Sequence, residues 1–256
     1  MSITLRRSLR VLERNLTVMR RMWAVLFSGF FEPVFYLLSI GVGIGALVGH
    51  VRFQGRSVSY PEFVAPALLA ASAMNGAVYE STMNIYFKLK EGNIYHGMMA
   101  TPVGPGDIAV GEIGWSLSRG ALYAAGFVAV MLGMGLIHSW WAVLLLPSSV
   151  VVGFAFASAG MAFTCHVRSW QDMDLVQLVV LPLFLFSATF YPLSTYPPAL
   201  RLVVEVTPLY RGVHLLRGLA LGAVGAATVA DVLYLVALGG AGLAVTSRRL
   251  HRLLTP

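Results

Sequence analysis

The chain has 256 residues, 57% of them hydrophobic and only 11% charged, with a formal net charge of +7. A soluble globular domain carries about 25% charged residues, so this composition excludes one and points to an integral membrane protein. The basic residues form no stripe interleaved with aromatics, which argues against a nucleic-acid surface, and the single cysteine, Cys165, excludes an intrachain disulfide or a cysteine-rich metal site.

Leu5, Leu9, Leu12, Leu16 and Met19 recur at three- and four-residue steps, with Arg6, Arg7, Arg10, Glu13, Arg14, Arg20 and Arg21 on the other faces. The pattern predicts an amphipathic helix over 1–22 lying on the cytoplasmic membrane surface, arginines toward anionic headgroups and leucines in the acyl boundary. A helix packed on a protein partner has the same pattern. These residues lack an uninterrupted apolar core, so a cleavable signal peptide is not expected. Residues 23–49 are apolar apart from Glu32 and would make about 40 Å of helix, more than a bilayer core requires. An elbow is expected at Glu32-Pro33, because proline disfavours the helical conformation of the residue before it; Glu32 would then sit at a helix N-terminus, where the dipole favours an anion. One long kinked helix is the alternative. Gly41, Gly45 and Gly49 fall on one face, as for close helix packing or a dimer seam.

A polar stretch over 50–62 leads to a second span, 63–87, ended by Lys88 and Lys90. Residues 88–107 are the longest largely polar interruption, hold the two lysines of the chain and are dense in helix breakers at Gly92, Gly97, Pro102, Gly104, Pro105 and Gly106. A membrane protein with so elaborate a loop is expected to show it to a partner. The third span follows over 107–137. Glu80, Glu112 and Arg119 lie at membrane depth, where each isolated charge costs about 2.5–3.5 kcal/mol, so Arg119 is expected to pair with Glu80 or Glu112. Structural neutralisation and direct handling of a substrate or proton both stay open. Trp140 and Trp141 suit a membrane interface. A fourth span, 141–163, is rich in small residues; 165–174 returns; a fifth, 175–190, is short and contains Pro182. Residues 191–225 are too polar to span and too apolar for a free loop, and read as a short amphipathic segment or a helical hairpin set into the outer leaflet, broken at Pro192, Pro197, Pro198 and Pro208. A sixth span, 228–246, precedes Arg248, Arg249 and Arg252. Twelve lysines and arginines lie in the two termini, 88–107 and 165–174, against five in 50–62 and 191–225, so both termini are expected in the cytoplasm.

No P-loop, H-E-x-x-H or G-x-S-x-G occurs, and the six histidines fall about one per loop, a poor arrangement for a metal. Cys165 and His166 are adjacent and point in different directions on a helix, which argues against a nucleophile and base. No catalytic or metal residue is expected, and no obvious inverted halves suggest a secondary transporter.

The series Glu32-Pro33-x-x-Tyr36, Glu91-Gly92, Ala100-Thr101-Pro102-Val103-Gly104-Pro105, Asp107-Ile108-x-x-Gly111-Glu112-x-x-Trp115, Phe184-Leu185-Phe186-Ser187, Phe190-Tyr191-Pro192-Leu193, Pro208-Leu209 and Arg217 resembles ABC-2-type transporter permeases, in the nodulation protein J and daunorubicin-resistance branch. The resemblance covers nearly all of 32–222. It implies an all-α fold, one transmembrane domain over 1–256 with six transmembrane helices and an extracellular re-entrant hairpin over 191–225 between the fifth and sixth, and a permease without cofactor of its own, in a bacterial plasma membrane. ATP and magnesium would be held by a separate ABC ATPase subunit, and a second permease protomer would complete a homodimer. By the same likeness Glu91, Gly92, His96, Thr101, Pro102 and Asp107 belong to the cytoplasmic coupling loop (88–107), the 1–22 helix makes a second ATPase contact, and Phe184, Phe186 and Phe190 flank the translocation path. Spans of Phe, Leu, Met and Ala with little polar lining point to a hydrophobic or amphipathic cargo: drug, lipid or lipid-linked glycan. The rival from another class is a membrane-embedded enzyme or scaffold built on Glu80, Glu112 and Arg119 without ATP coupling.

Overall fold

The computed structural model describes residues 5–20, 31 and 34–255; the elbow expected at Glu32-Pro33 lies outside the described residues. Helix α1 (Leu5–Arg20) is followed by α2 (Val34–Val48), whose centre, Leu37–Ile44, is wound as a π-helix. Gly49, at φ 70°, turns the chain into an antiparallel hairpin, β1 (His50–Phe53) and β2 (Arg56–Ser59). Gln54 and Gly55 form its two-residue turn with φ of 47° and 79°, the left-handed pair that matches the twist of the strands.

Helix α3 (Tyr60–Tyr79) starts at a capping box, with the Ser59 N–H donating to Glu62 Oε2 at 3.1 Å and Pro61 in the first turn. It runs on through two π-helical turns, Glu80–Asn84 and Phe87–Glu91. A short helix, α4 (Ile94–Met99), is entered through Asn93 in the left-handed region. Then come α5 (Pro105–Gly133), a 3-10 turn at Trp140–Leu144 leading into α6 (Leu145–Thr164), a second such turn at Trp170–Met173, α7 (Asp174–Leu185), α8 (Pro198–Val206), α9 (Pro208–Leu221) and α10 (Ala226–Leu254). The described chain is thus helical apart from one hairpin. Three of its segments, Pro105–Gly133, Trp140–Thr164 and Ala226–Leu254, are long and apolar enough to cross a membrane.

Helix α6 is the hub, packed on α3, α5 and most extensively on α10. Its small residues make this possible. A Cβ added at Gly242 of α10 would meet the Ser158 carbonyl carbon at 2.7 Å, one at Gly239 would run into the Phe154 ring, and one at Gly160 of α6 would collide with Ser81 Oγ in the first π-turn of α3. Backbones this close gain dispersion contacts that larger side chains would prevent.

Two elements differ in extent from the sequence reading. The fifth helix stops at Leu185 rather than near Phe190, since Phe186 leaves the helical region and Ala188 takes φ 54°. Ser187 holds this break, its hydroxyl bonded to the Phe184 carbonyl at 3.1 Å and to the Thr189 hydroxyl at 2.7 Å. Helix α10 continues without interruption through Arg248, Arg249 and Arg252, where cations complement the C-terminal end of the helix dipole.

Candidate functional site

Helix α1 presents two faces. Leu5, Leu9 and Leu16 are exposed, whereas Ser8, Val11 and Asn15 are buried against α5, which offers Gly111 at the contact: a Cβ there would lie 2.6 Å from Val11 Cβ and 2.8 Å from the Ser8 carbonyl oxygen. Gly111→Val is therefore expected to lift α1 from α5, read as faster hydrogen exchange over residues 5–20. Gly114→Ala, whose new methyl would stand 3.5 Å from Leu12, should leave that exchange unchanged.

Next to Gly111, Glu112 of α5 is 3% exposed and gathers three other elements. Its Oε2 accepts from Asn15 Nδ2 of α1 at 2.9 Å and from Lys88 Nζ of the second π-turn at 2.7 Å, and Lys88 also donates to Asn15 Oδ1 at 3.2 Å. Tyr95 of α4 is fully buried. Burial holds its phenol well above the ordinary value, and the Glu112 carboxylate beside it adds to the rise, so Tyr95 stays neutral; its hydroxyl and Glu112 Oε1 are both buried without a hydrogen-bond partner among the described residues. The short helix is anchored through this ring, while Glu91, Gly92, His96, Thr101 and Pro102 around it are exposed. Asp107 is instead buried, and its Oδ2 accepts the Gly104 N–H at 3.0 Å to cap α5.

Deeper along α5, Glu80 Oε2 accepts from Arg119 Nη1 at 2.6 Å and Oε1 from Trp115 Nε1 at 3.0 Å, and Arg119 Nε donates to the Tyr123 hydroxyl at 3.0 Å. Of the two partners that spacing left open for Arg119, Glu80 makes the ion pair. Trp115, Arg119 and Tyr123 recur at four-residue steps and share one face of α5. The pair borders a cavity of about 550 Å³ between α2, α3, α5 and α7, lined among others by Tyr36, Asn75, Tyr79, Tyr123, Gln177 and Phe184. Phe184 touches Tyr36 and Phe190, with ring centroids 6.4 and 5.2 Å apart, and Phe186 is exposed at the end of α7. Gly41 and Gly45 face Pro61 of α3 within the same chain, at 3.8 and 3.2 Å for an added Cβ, and Gly49 makes no such contact. Glu32 lies outside the described residues.

A third polar centre lies at the other end of the bundle. Arg217 of α9 is 4% exposed and no carboxylate contacts it among the described residues. Its Nε donates to the Phe63 carbonyl at 2.9 Å, its Nη2 to the carbonyls of Ala188 and Thr189 at 2.8 and 3.3 Å, and its guanidinium stands 3.7 Å from the Phe63 ring centroid. One side chain thus joins α9, the start of α3 and the break after α7.

Comparison with known proteins decides what these elements belong to: residues 8–221 match the family described as ABC-2 type transporter. The chain belongs to that family. Among curated relatives it is 33% identical to nodulation protein J of Rhizobium leguminosarum bv. viciae over 196 residues, 75% of this chain and 73% of the relative. It is 30% identical to nodulation protein J of Bradyrhizobium diazoefficiens over 251 residues, 94% and 93% of the two chains. This ABC-2 chain is therefore a membrane component of a transporter. Several residues that carried the resemblance have visible jobs: Gly111 seats α1, Glu112 and Trp115 hold buried polar partners, and Arg217 binds carbonyls next to the Phe190-Tyr191-Pro192 stretch. The buried Cys165 thiol is pushed up to about 12 by its surroundings, which gives no thiolate for chemistry.

Sequence reasoning missed Asn15 and Lys88 as partners of Glu112, and Tyr95 as its buried neighbour. It also missed Asp231, fully buried in α10, which accepts from Arg211 Nη1 at 3.2 Å and bonds the His214 ring. A carboxylate inside an apolar 29-residue helix was a signal that a cation would be found opposite it.

Proposed function

We propose that this ABC-2 chain is the permease subunit of an ATP-driven exporter in a bacterial plasma membrane. It works as a homodimer with six spans per protomer, both termini cytoplasmic, and the α8–α9 segment re-entrant on the outer side. Energy comes from a separate ATPase subunit that holds ATP and magnesium. The observation that carries this reading is the short helix α4, exposed along Glu91, Gly92 and His96 yet rooted through Tyr95 beside Glu112 on the helix that borders the cavity. A knob with a free outer face and a buried root is built to receive a push and pass it on.

The cavity favours an amphipathic cargo over a purely hydrophobic one. Asn75 and Gln177 are exposed within apolar helices, where an unpartnered amide is costly unless it meets water or a polar ligand. The polar residues come singly from several helices, so no stretch of sequence looked like a polar lining.

Affinity purification of the tagged chain from its native membrane tests the reading: an ATPase subunit in stoichiometric amount is expected, and a chain that comes down alone would end it. Within the complex, Gly92→Pro is expected to abolish cargo export while ATPase association persists. Proline removes the Gly92 N–H that donates to the Phe87 carbonyl at 2.7 Å and thereby unseats the entry to α4. Normal export by that variant would count against α4 as the coupling element.

A further inference from the structure

Helices α3 and α5 run antiparallel and are joined by two ion pairs of opposite order, Glu80–Arg119 at the cavity and Lys88–Glu112 at the root of α4. The spacing is unequal: eight residues separate Glu80 from Lys88, and seven separate Glu112 from Arg119. Seven α-helical residues turn through about 700°, within roughly 20° of two full turns. Eight would turn through about 800° and leave Lys88 some 80° round the helix from Glu80. The two π-turns, Glu80–Asn84 and Phe87–Glu91, remove this mismatch, because a helix closed on the fifth residue turns less per residue. Both charges of α3 then meet α5. Each π-turn sits on one of the paired residues, and the first is held open to α6, with Thr164 Oγ1 donating to the Ser81 carbonyl at 3.1 Å.

We infer that the two pairs make α3 and α5 a single strut, with Lys88 and Glu112 as positioning residues that carry a displacement of α4 to the cavity. The inference rests on the permease reading above. Sliding α3 along α5 would have to break both pairs at once, at the cavity and at the root of α4; rigid transmission follows from that two-point attachment. Glu112 is the node because its carboxylate also binds Asn15 and lies against Tyr95, so α1 and α4 move with the strut.

The test uses the full chain with the ATPase that co-purifies with it, in lipid nanodiscs, and compares hydrogen exchange without nucleotide and after trapping with ATP and vanadate. In the wild type, trapping is expected to change exchange both over 94–99 and over the cavity segments 79–84 and 116–123. In Glu112→Gln and in Lys88→Gln the change over 94–99 should persist and that at the cavity should be lost. The exchanged pair, Lys88→Glu with Glu112→Lys, should restore it. A merely structural role would not separate the two regions. Cavity responses intact in both single variants would overturn the strut alone, whereas no response over 94–99 in the wild-type complex would overturn the permease reading and the strut with it. Should the single variants fail to assemble, the exchanged pair decides: assembly with the cavity response supports the strut, and assembly without it overturns it.

Discussion

Arg217→Leu is expected to produce a chain that reaches the membrane but does not hold its native fold. The substitution strips the partner from the buried carbonyls of Ala188 and Thr189, which lie outside any helix, and a second donor from that of Phe63 within α3, and each unsatisfied buried acceptor costs about 1–3 kcal/mol. The guanidinium contact with the Phe63 ring, at 3.7 Å, adds up to about 2 kcal/mol when desolvated. Against a total stability of roughly 5–15 kcal/mol, losses of this size take most of what is available. Arg217→Lys keeps the charge but not the planar fork, and one ammonium cannot both stack on the ring and reach carbonyls on two sides. It should fall between leucine and wild type. Thermal unfolding in mild detergent, followed by size-exclusion of the surviving fraction, measures both; a leucine variant with an unchanged Tm would remove Arg217 from its place as the staple of this end of the bundle.

How much of this could be read beforehand depends on whether a residue's partner is near it in sequence. The amphipathic period of α1, the helix breaks at Gly92 and Pro102, and the small-residue character of α6 are local patterns, and the helices follow them. The hairpin at 50–59 was legible too: Gln54-Gly55 between two alternating four-residue runs is a turn signal, although the stretch was read only as polar. What sequence could not give is which face of α1 meets protein. Leu5, Leu9 and Leu16 suggested the membrane side and are exposed, while Ser8 and Val11 close on Gly111 and Asn15 bonds Glu112; only a backbone without a side chain opposite Ser8 and Val11 permits this. The candidate site follows the same rule. Glu80, Glu112 and Arg119 stood out because charge at membrane depth must be matched, yet spacing allowed two partners for Arg119. The structure pairs Arg119 with Glu80 and gives Glu112 to Lys88, and the π-turns on which Glu80 and Lys88 sit leave no mark in hydrophobic periodicity. Asn75 and Gln177 reach one cavity from helices a hundred residues apart.

Arg119→Met is expected to destabilise the protein by about 3–5 kcal/mol, because it leaves the Glu80 carboxylate buried with Trp115 as its remaining partner and removes the balancing charge. Glu80→Gln should cost less, since its amide still accepts from Trp115 and Arg119 retains the Tyr123 hydroxyl. The double variant, Glu80→Gln with Arg119→Met, should be more stable than Arg119→Met alone, because no charge is then stranded; a buried pair replaced as a unit is often near neutral. Unfolding midpoints of the four proteins close the cycle and measure the coupling. A wild-type Tm for Arg119→Met would sink the buried-pair account. Export by the double variant then separates the two roles that sequence left open. If charge neutralisation is all the pair does, a stable double variant should still export. If Arg119 and Glu80 meet the polar part of the cargo, or carry the strut's motion to it, the double variant should be folded, bound to its ATPase and inactive. The pair borders a cavity of about 550 Å³, and such a cavity hydrates a purely balancing pair as readily as it admits a polar ligand, so export by the double variant, and not the position of the pair, decides between the two roles.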